Sequence, residues 1–300
     1  MTRVLVSGGT GYVGRFIVED LLANGYKVTV GGRTPPAMGF FSRPVAFVPL
    51  ALDPDRDQPE IFDNIYYFVH AAFSHVPGKY RDGEGGDPAG FRSANLDGSM
   101  RLFESARDAG VRRCIFLSSR AVYGVQQPGQ ALSEDMHCHP DTLYGQVKLL
   151  AERGLTSVCN HGFMTTNLRV TGVYGAAGPG VRHKWASLFE DYLTGRPTAA
   201  RNGTEVHGSD LAKAVRIILT ADAIRINGET FNVSDILVGH HDILSLVQTL
   251  TGSKHNIPQV LDASTYNTMD ISKLRALGWE PGGPARLKQT IEELLEGQPV

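Results

Sequence analysis

The sequence predicts an α/β fold: a doubly wound parallel sheet with a smaller, discontinuous lobe contributed by the carboxyl-terminal half. Three observations predict it. Short apolar runs alternate with stretches of helical spacing through the first half, the pattern of parallel strands joined by right-handed crossovers. The first run, VLVSGG (4–9), empties into a glycine-rich turn that a helical repeat follows at once. The second half carries helical stretches and one strand signal without that alternation, which suits a cap over the carboxyl ends of the strands, where ligands bind in such sheets.

In chain order, Phe16, Ile17, Leu21 and Leu22 repeat at helical spacing after the first strand, and Asn24-Gly25 stops the helix. KVTVGGR (27–33), PVAFVPL (44–50) and IYYFVHAA (65–72) read as the second, third and fourth strands. GKYRDGEGGDPAGF (78–91) is rich in glycine and charge and reads as a mobile loop. A helix is expected over 95–109, a strand at RCIFLSS (113–119), a helix over 143–154 and a strand along MTTNLRVTGVYG (164–175). Helices over 184–194, 209–221, 241–251 and 285–296 and a strand at ETFNVS (229–234) follow. The expected division is a dinucleotide-binding domain over 1–171, with parts of 204–235 returning to it, and a mainly substrate-binding lobe over 172–300. No internal repeat is visible.

Bulk composition excludes several classes. A chain of 300 residues, 42% hydrophobic, can bury a large core. A formal net charge of -2 gives no footing for nucleic acid or a membrane surface. No apolar run approaches the roughly 18 residues of a spanning helix, and MTRVLVSGG enters a strand directly, without the pattern of a signal peptide. Cys114, Cys138 and Cys159 are an odd number without paired spacing, which points to a reducing, cytoplasmic setting. MHCHPD (136–141) and VGHHD (238–242) lack the two paired arms of a zinc site, so surface or packing roles are expected and no metal is.

Gly8, Gly11 and Gly14 form G-x-x-G-x-x-G at the first strand-to-helix junction. Glycines there permit a tight turn and close approach of a pyrophosphate to a helix amino terminus, so a dinucleotide cofactor is expected; the plainer reading is an ordinary βα turn. The second strand ends Gly31, Gly32, Arg33. The carboxylate that would bind the ribose hydroxyls of NAD is absent and a guanidinium stands close by, which favours NADP over NAD; the plainer reading is an exposed loop arginine. In YGQVK (144–148), Tyr144 and Lys148 lie four apart, one above the other on a helix face. Alone, that pair reads as a packed tyrosine with a lysine passing it.

With GGTGYVG (8–14) and YGQVK, further segments make the chain resemble the extended short-chain dehydrogenase/reductase family, the NAD-dependent epimerase/dehydratase group, over nearly its whole length. FVHAA (68–72), NLDGSMRLFESARDAGV (95–111), FLSSRAVYG (116–124), LRVTGVYG (168–175), VHGSDLA (206–212), GETFNVS (228–234) and DISKLRALGWEP (270–281) each match a family segment in order and spacing. The resemblance implies a Rossmann sheet with cofactor held by Gly8, Thr10, Gly11, Tyr12, Val13 and Gly14, by Ala71 and Ala72, and by Tyr144 and Lys148, alongside the Arg33 already read at the end of the second strand. It implies a catalytic Ser119, with Ser118 as the neighbour to be told apart from it, together with Tyr144 and Lys148. A free phenol has a pKa near 10, too high for a base at neutral pH; a cation one turn away lowers it. Ser119 would bond and orient the substrate oxygen. Gly145 would leave room beside the phenol.

The departures matter as much. Family dehydratases carry an Asp-Glu pair after the catalytic hydroxyl; Arg120 and Ala121 stand there, so that dehydration lacks its acid and base. In sugar-nucleotide members an asparagine holds the diphosphate where this chain has Gly172, and an arginine before V-H-V-x-D does the same, for which Arg201 is the nearest candidate. Arg182, His183, Lys184 and Arg196 could supply the positive charge, or could be surface charges. Three readings stay open: an epimerase or reductase of a nucleotide sugar, an NADPH-dependent reductase of a small non-sugar carbonyl compound, and a non-catalytic NADP-binding sensor. Family members often dimerise through two helices per subunit, which makes 95–109 and 143–154 the candidates for a homodimer face.

Overall fold

Strand β1 (Arg3–Ser7) is buried from Val4 to Ser7, the mark of a strand covered on both sheet faces. The chain is described from a computed structural model over residues 2–76, 83–176, 178 and 181–296. From β1 it passes through α1 (Tyr12–Ala23), β2 (Lys27–Gly32), β3 (Ala46–Pro49), β4 (Tyr67–His70), α2 (Pro88–Arg92) and α3 (Gly98–Asp108) to β5 (Arg113–Ser119). Then come α4 (Leu143–Ser157), β6 (Met164–Val170), β7 (Gly172–Tyr174), α5 (Ala186–Leu193), β8 (Asn202–His207), α6 (Gly208–Thr220), α7 (Ala223–Ile226) and β9 (Glu229–Val233). Strand β10 (Ile236–Gly239), α8 (His240–Thr251), α9 (Ser272–Arg275) and α10 (Gly283–Glu296) complete the order.

Seven strands form a parallel sheet in the order β3-β2-β1-β4-β5-β6-β9. Strand order reverses between β1 and β4, and the crevice at that switch point opens beyond their carboxyl ends. One face is covered by α1 and α6, packed around Ile17, Leu21, Val215 and Ile218. The other is covered by α3 and α4 around Leu102, Phe103, Val147 and Leu155. Trp279 is fully buried in the first of these cores and donates its indole N–H to the Asp210 carbonyl (2.8 Å), so the chain returns to the main sheet after crossing the lobe. The lobe has its own core around Trp185, Phe189, Tyr192, Leu244 and Ile291, beside a three-stranded sheet ordered β10-β8-β7.

The single strand expected over 164–175 is two strands. Thr171 breaks them, and β6 joins the main sheet while β7 joins the lobe sheet. The helix expected from Asn95 is preceded by α2 and by a π-helical turn over Ser93–Asp97. Of the loop expected at 78–91, residues 78–82 lie outside the described residues; 88–92 are helical because Asp87 caps them and Pro88 presets the first helical φ. No helix among the described residues is long and apolar enough to cross a membrane.

Candidate active site

The turn after β1 is shaped by its glycines. Gly8 sits at φ +68°, and a Cβ on it would come within 2.8 Å of the Ala72 backbone, so turn and β4 end meet with no room for a side chain. A Cβ on Gly14 would run into the Gly8 carbonyl. Gly11 caps α1 with no side-chain bond, and the first turn of α1 carries no acidic residue. Free N–H groups and the positive end of the helix dipole are thus left for an anion, and the cradle fits the pyrophosphate of a dinucleotide. Within the turn, Tyr12 donates its hydroxyl to the Gly175 carbonyl (2.9 Å), and Val13 packs on the main core. Thr10 Oγ1 lies 4.0 Å from where a Gly32 Cβ would stand. Arg33 is exposed just beyond β2.

The two strand ends flanking the crevice are tied by a buried relay. Ser99 donates to the Asn95 carbonyl (2.6 Å), which leaves its oxygen to accept from His70 Nε2 (2.9 Å). His70 Nδ1 then accepts from the Ser7 hydroxyl (2.7 Å), whose oxygen accepts the Ala72 N–H (3.2 Å). His70 is fully buried, and burial, with Lys148 nearby, pushes its pKa down to about 3, so the imidazole stays neutral in this tautomer. Asn95 clasps the next segment, taking the Ser74 N–H (2.6 Å) and donating to the Ser74 carbonyl (2.7 Å).

Helix α4 begins at a Thr142 cap whose side chain accepts the Gly145 N–H. It presents half-buried Tyr144 and buried Lys148 towards the same ring, Phe73, one residue beyond Ala72. Tyr144 meets Phe73 edge-on at 5.1 Å between centroids, and Lys148 Nζ lies 4.4 Å from the Phe73 centroid. The ammonium is also 4.6 Å from the Phe116 centroid and 5.9 Å from that of Tyr144, and it donates to the Leu117 carbonyl (2.7 Å). Burial pushes the Lys148 pKa down to about 7 against the opposing pull of Glu152. Gly145 follows the phenol in the first turn of α4. A Cβ there would lie 2.5 Å from the Ala121 carbonyl, so the glycine lets α4 press against the 3₁₀ turn Arg120–Tyr123.

Ser118 and Ser119 face different surroundings. Ser118 is buried and donates to the Glu152 carboxylate, which also holds Arg169 (2.9 Å). Ser119 is half-exposed at the end of β5, where its oxygen accepts only the Ala121 N–H (3.2 Å) among the described residues. Ser119, Ala71, Ala72 and Gly8 therefore sit on the carboxyl ends of β5, β4 and β1, and α4 reaches this end through Tyr144 and Lys148 on Phe73, next to Ala72, and through Lys148 at the Leu117 carbonyl. Arg33 lies beyond the end of β2. His70 and Asn95 lie within FVHAA and NLDGS, and the sequence signal for the first is a histidine in an otherwise apolar strand. Ser7, Ser99 and Phe73 follow no pattern that a single sequence displays.

The family model described as "Epimerase: NAD dependent epimerase/dehydratase family" matches residues 4–234. A UDP-glucose 4-epimerase of Streptomyces lividans is 32% identical over 326 residues, covering 93% of this chain and 91% of that protein. Among solved structures, a UDP-glucose 4-epimerase of Thermotoga maritima holding UDP-glucose superposes with a TM-score of 0.80 at 24% identity, covering 98% and 99% of the two chains. MoeE5, solved with UDP-glucose and NAD, gives 0.79 at 25% identity and 98% of each chain.

Proposed function

The chain belongs to the NAD dependent epimerase/dehydratase family, and on that premise we propose that it catalyses hydride exchange at a carbinol or ketone carbon of a nucleotide sugar, with Tyr144 moving the proton. One observation carries the reading: Tyr144 and Lys148 converge on Phe73, at the strand ends that also present Ser119 and the glycine turn. A nicotinamide group, when bound, supplies the hydride acceptor and donor. Gly8, Thr10, Gly11, Tyr12, Val13 and Gly14 would hold its pyrophosphate end, Ala71 and Ala72 would flank it, and Tyr144 and Lys148 would meet its ribose. The Lys148 ammonium favours the phenolate of Tyr144, which takes the hydroxyl proton of the substrate. Ser119 Oγ, on the strand end opposite, bonds the same oxygen and fixes its angle. Arg120 and Ala121 follow it, so the site has no carboxyl pair there for dehydration.

Two of the proteins named above are UDP-glucose 4-epimerases and MoeE5 was solved with UDP-glucose, so a UDP-sugar is the proposed substrate class. The test is to purify the protein, record retained nicotinamide by absorbance and fluorescence, and incubate it with UDP-, GDP- and dTDP-sugars and simple carbonyl compounds. Interconversion of a sugar nucleotide without net oxidation supports the epimerase reading. Stoichiometric loss of NADPH on a simple carbonyl would replace it with the reductase, and no turnover across the panel with cofactor bound would replace it with the sensor.

Gly32 supports NADP over NAD. No carboxylate stands there, a Cβ would find nothing nearer than 4.0 Å, and Arg33 follows. The family is described as NAD dependent and MoeE5 was solved with NAD, so direct titration with both dinucleotides decides the matter. We also propose the domain boundary near residue 171, where the chain leaves the main sheet for the lobe, and α3 with α4 as a homodimer face, which sedimentation tests.

A further inference from the structure

Beyond Thr171 the chain enters the lobe at Gly172, two residues past Val170, the β6 partner of Ser119. Gly172 pairs with Glu205 of β8, and a Cβ on it would collide with Lys184 Nζ and Glu205 Oε2. An ion pair thus fills the space above this glycine: Lys184 Nζ lies 2.6 Å from Glu205 Oε1 and also contacts Oε2. The two residues line a cavity of about 190 Å³ together with Trp185, Arg201, Asn202 and His240. The Lys184 side chain is 28% exposed and that of Glu205 only 8%, so the carboxylate sits beneath the ammonium.

The remaining candidate cations are engaged elsewhere. Arg182 pairs with Glu190 (2.9 Å), and Arg196 with Asp191 (2.7 Å) and Glu190 (3.4 Å). His183 is half-buried and its ring nitrogens find no hydrogen-bond partner among the described residues; burial and Arg182 hold its pKa below the ordinary value, so it adds no charge. Lys184 and Arg201 are the lysine and arginine lining the cavity, and Glu205 is its acid. A buried pair of this kind contributes little net stability, because desolvating both charges offsets their attraction. Its place beside the reacting end of the sheet calls for a role in binding.

Resting on the nucleotide-sugar reading above, we propose that Lys184 takes the phosphate oxygens of the substrate and that Glu205 is the resident carboxylate those oxygens displace. A diphosphate brings more charge than a single carboxylate and reaches Arg201 as well, so it wins the ammonium, whereas an uncharged ligand cannot. The pair therefore selects phosphorylated substrates over free sugars and sets their affinity by competition.

Calorimetric titration of the full-length protein with UDP and with uridine tests this, using wild type, Glu205→Gln and Lys184→Gln. Glu205→Gln should tighten UDP about tenfold by removing the competitor, and Lys184→Gln should weaken it about tenfold, with uridine unchanged in both. Equal UDP affinity in all three overturns the inference; if UDP-sugars still turn over, the proposed function survives it. Absence of UDP binding in all three, with turnover of another carbonyl compound intact, overturns both. Should Glu205→Gln fail to fold, Lys184→Gln decides alone, because unchanged UDP affinity there removes the role of the lysine.

Discussion

The Lys148 ammonium lies over the face of Phe73, 4.4 Å from the ring centre, and Tyr144 meets the edge region of the same ring. Burial alone would drive the proton off this lysine. The Leu117 carbonyl and the faces of Phe73 and Phe116 hold it in part, since each presents negative charge to the cation. The pair Tyr144–Lys148 thus depends on the aromatic lining as well as on helical spacing.

That burial has a consequence for stability. Lys148 releases its proton near pH 7 in the folded chain, against an ordinary value of 10.5. Between those values the unfolded chain binds more protons, so stability from this group rises with pH across the window. Lys148→Met should abolish catalysis yet be ~1–3 kcal/mol more stable at pH 7, the relief of a buried charge exceeding the loss of one hydrogen bond. Urea denaturation at pH 7 and pH 9 checks it: the gain of the variant should shrink at the higher pH.

The two adjacent serines should separate chemistry from packing. Ser119→Ala should lower kcat by ~10²–10³ with little change in melting temperature, as loss of a donor to the reacting oxygen does. Ser118→Ala removes a bond to the buried Glu152 carboxylate and should cost ~1–3 kcal/mol in stability, while kcat per folded molecule falls much less. Tyr144→Phe should cut kcat by ~10²–10⁴ while dinucleotide binding, followed by fluorescence, stays nearly intact. Reversal of the serine phenotypes would exchange their roles.

His70 makes the crevice sensitive to acid. The unfolded chain takes up a proton below the ordinary 6.5, and the folded chain does so only at about 3. Stability from this group is therefore complete above pH 6.5 and is lost as the pH falls through that window. From pH 7 to pH 5 the loss should be ~2 kcal/mol. His70→Leu leaves the Ser7 and Ser99 hydroxyls without their partner and should be less stable at pH 7, but should lack this share of the acid loss. Chemical denaturation of both proteins at the two pH values reads the difference.

Local pattern makes the main sheet legible in the sequence: buried parallel strands are continuous apolar runs, and VLVSGG, KVTVGG and RCIFLSS each mark one. The lobe was harder. NGTEVH, which forms β8, is not an apolar run, and ILVG, which forms β10, is only four residues long; β8 gains its pairing from β10 and β7, and β10 from β8. Thr171 divides one continuous strand signal between two sheets, a decision taken by tertiary packing that no local propensity encodes. At the site, Tyr144, Lys148 and the glycines stood out because their chemistry comes with fixed spacing. Ser7, Ser99 and Phe73 lie far apart in the chain and become partners of His70, Tyr144 and Lys148 only once the sheet has formed.

The end of β2 offers the sharpest test of cofactor choice. Gly32 is not in the left-handed region, and a Cβ there meets nothing nearer than Phe47 and Thr10 at 4.0 Å, so an aspartate fits without strain. Its carboxylate would extend from a position between the Phe47 ring and Thr10 of the glycine turn. It would repel a 2′-phosphate and accept hydrogen bonds from free ribose hydroxyls. Gly32→Asp should therefore weaken NADP by ~10–100-fold and tighten NAD, the range expected for gaining or losing a charged hydrogen-bonding contact. Arg33→Ala should weaken NADP alone. Fluorescence titration of wild type and both variants with each reduced dinucleotide measures this directly. Wild type that binds the two equally, with neither substitution shifting the ratio, would remove Gly32 and Arg33 from cofactor selection.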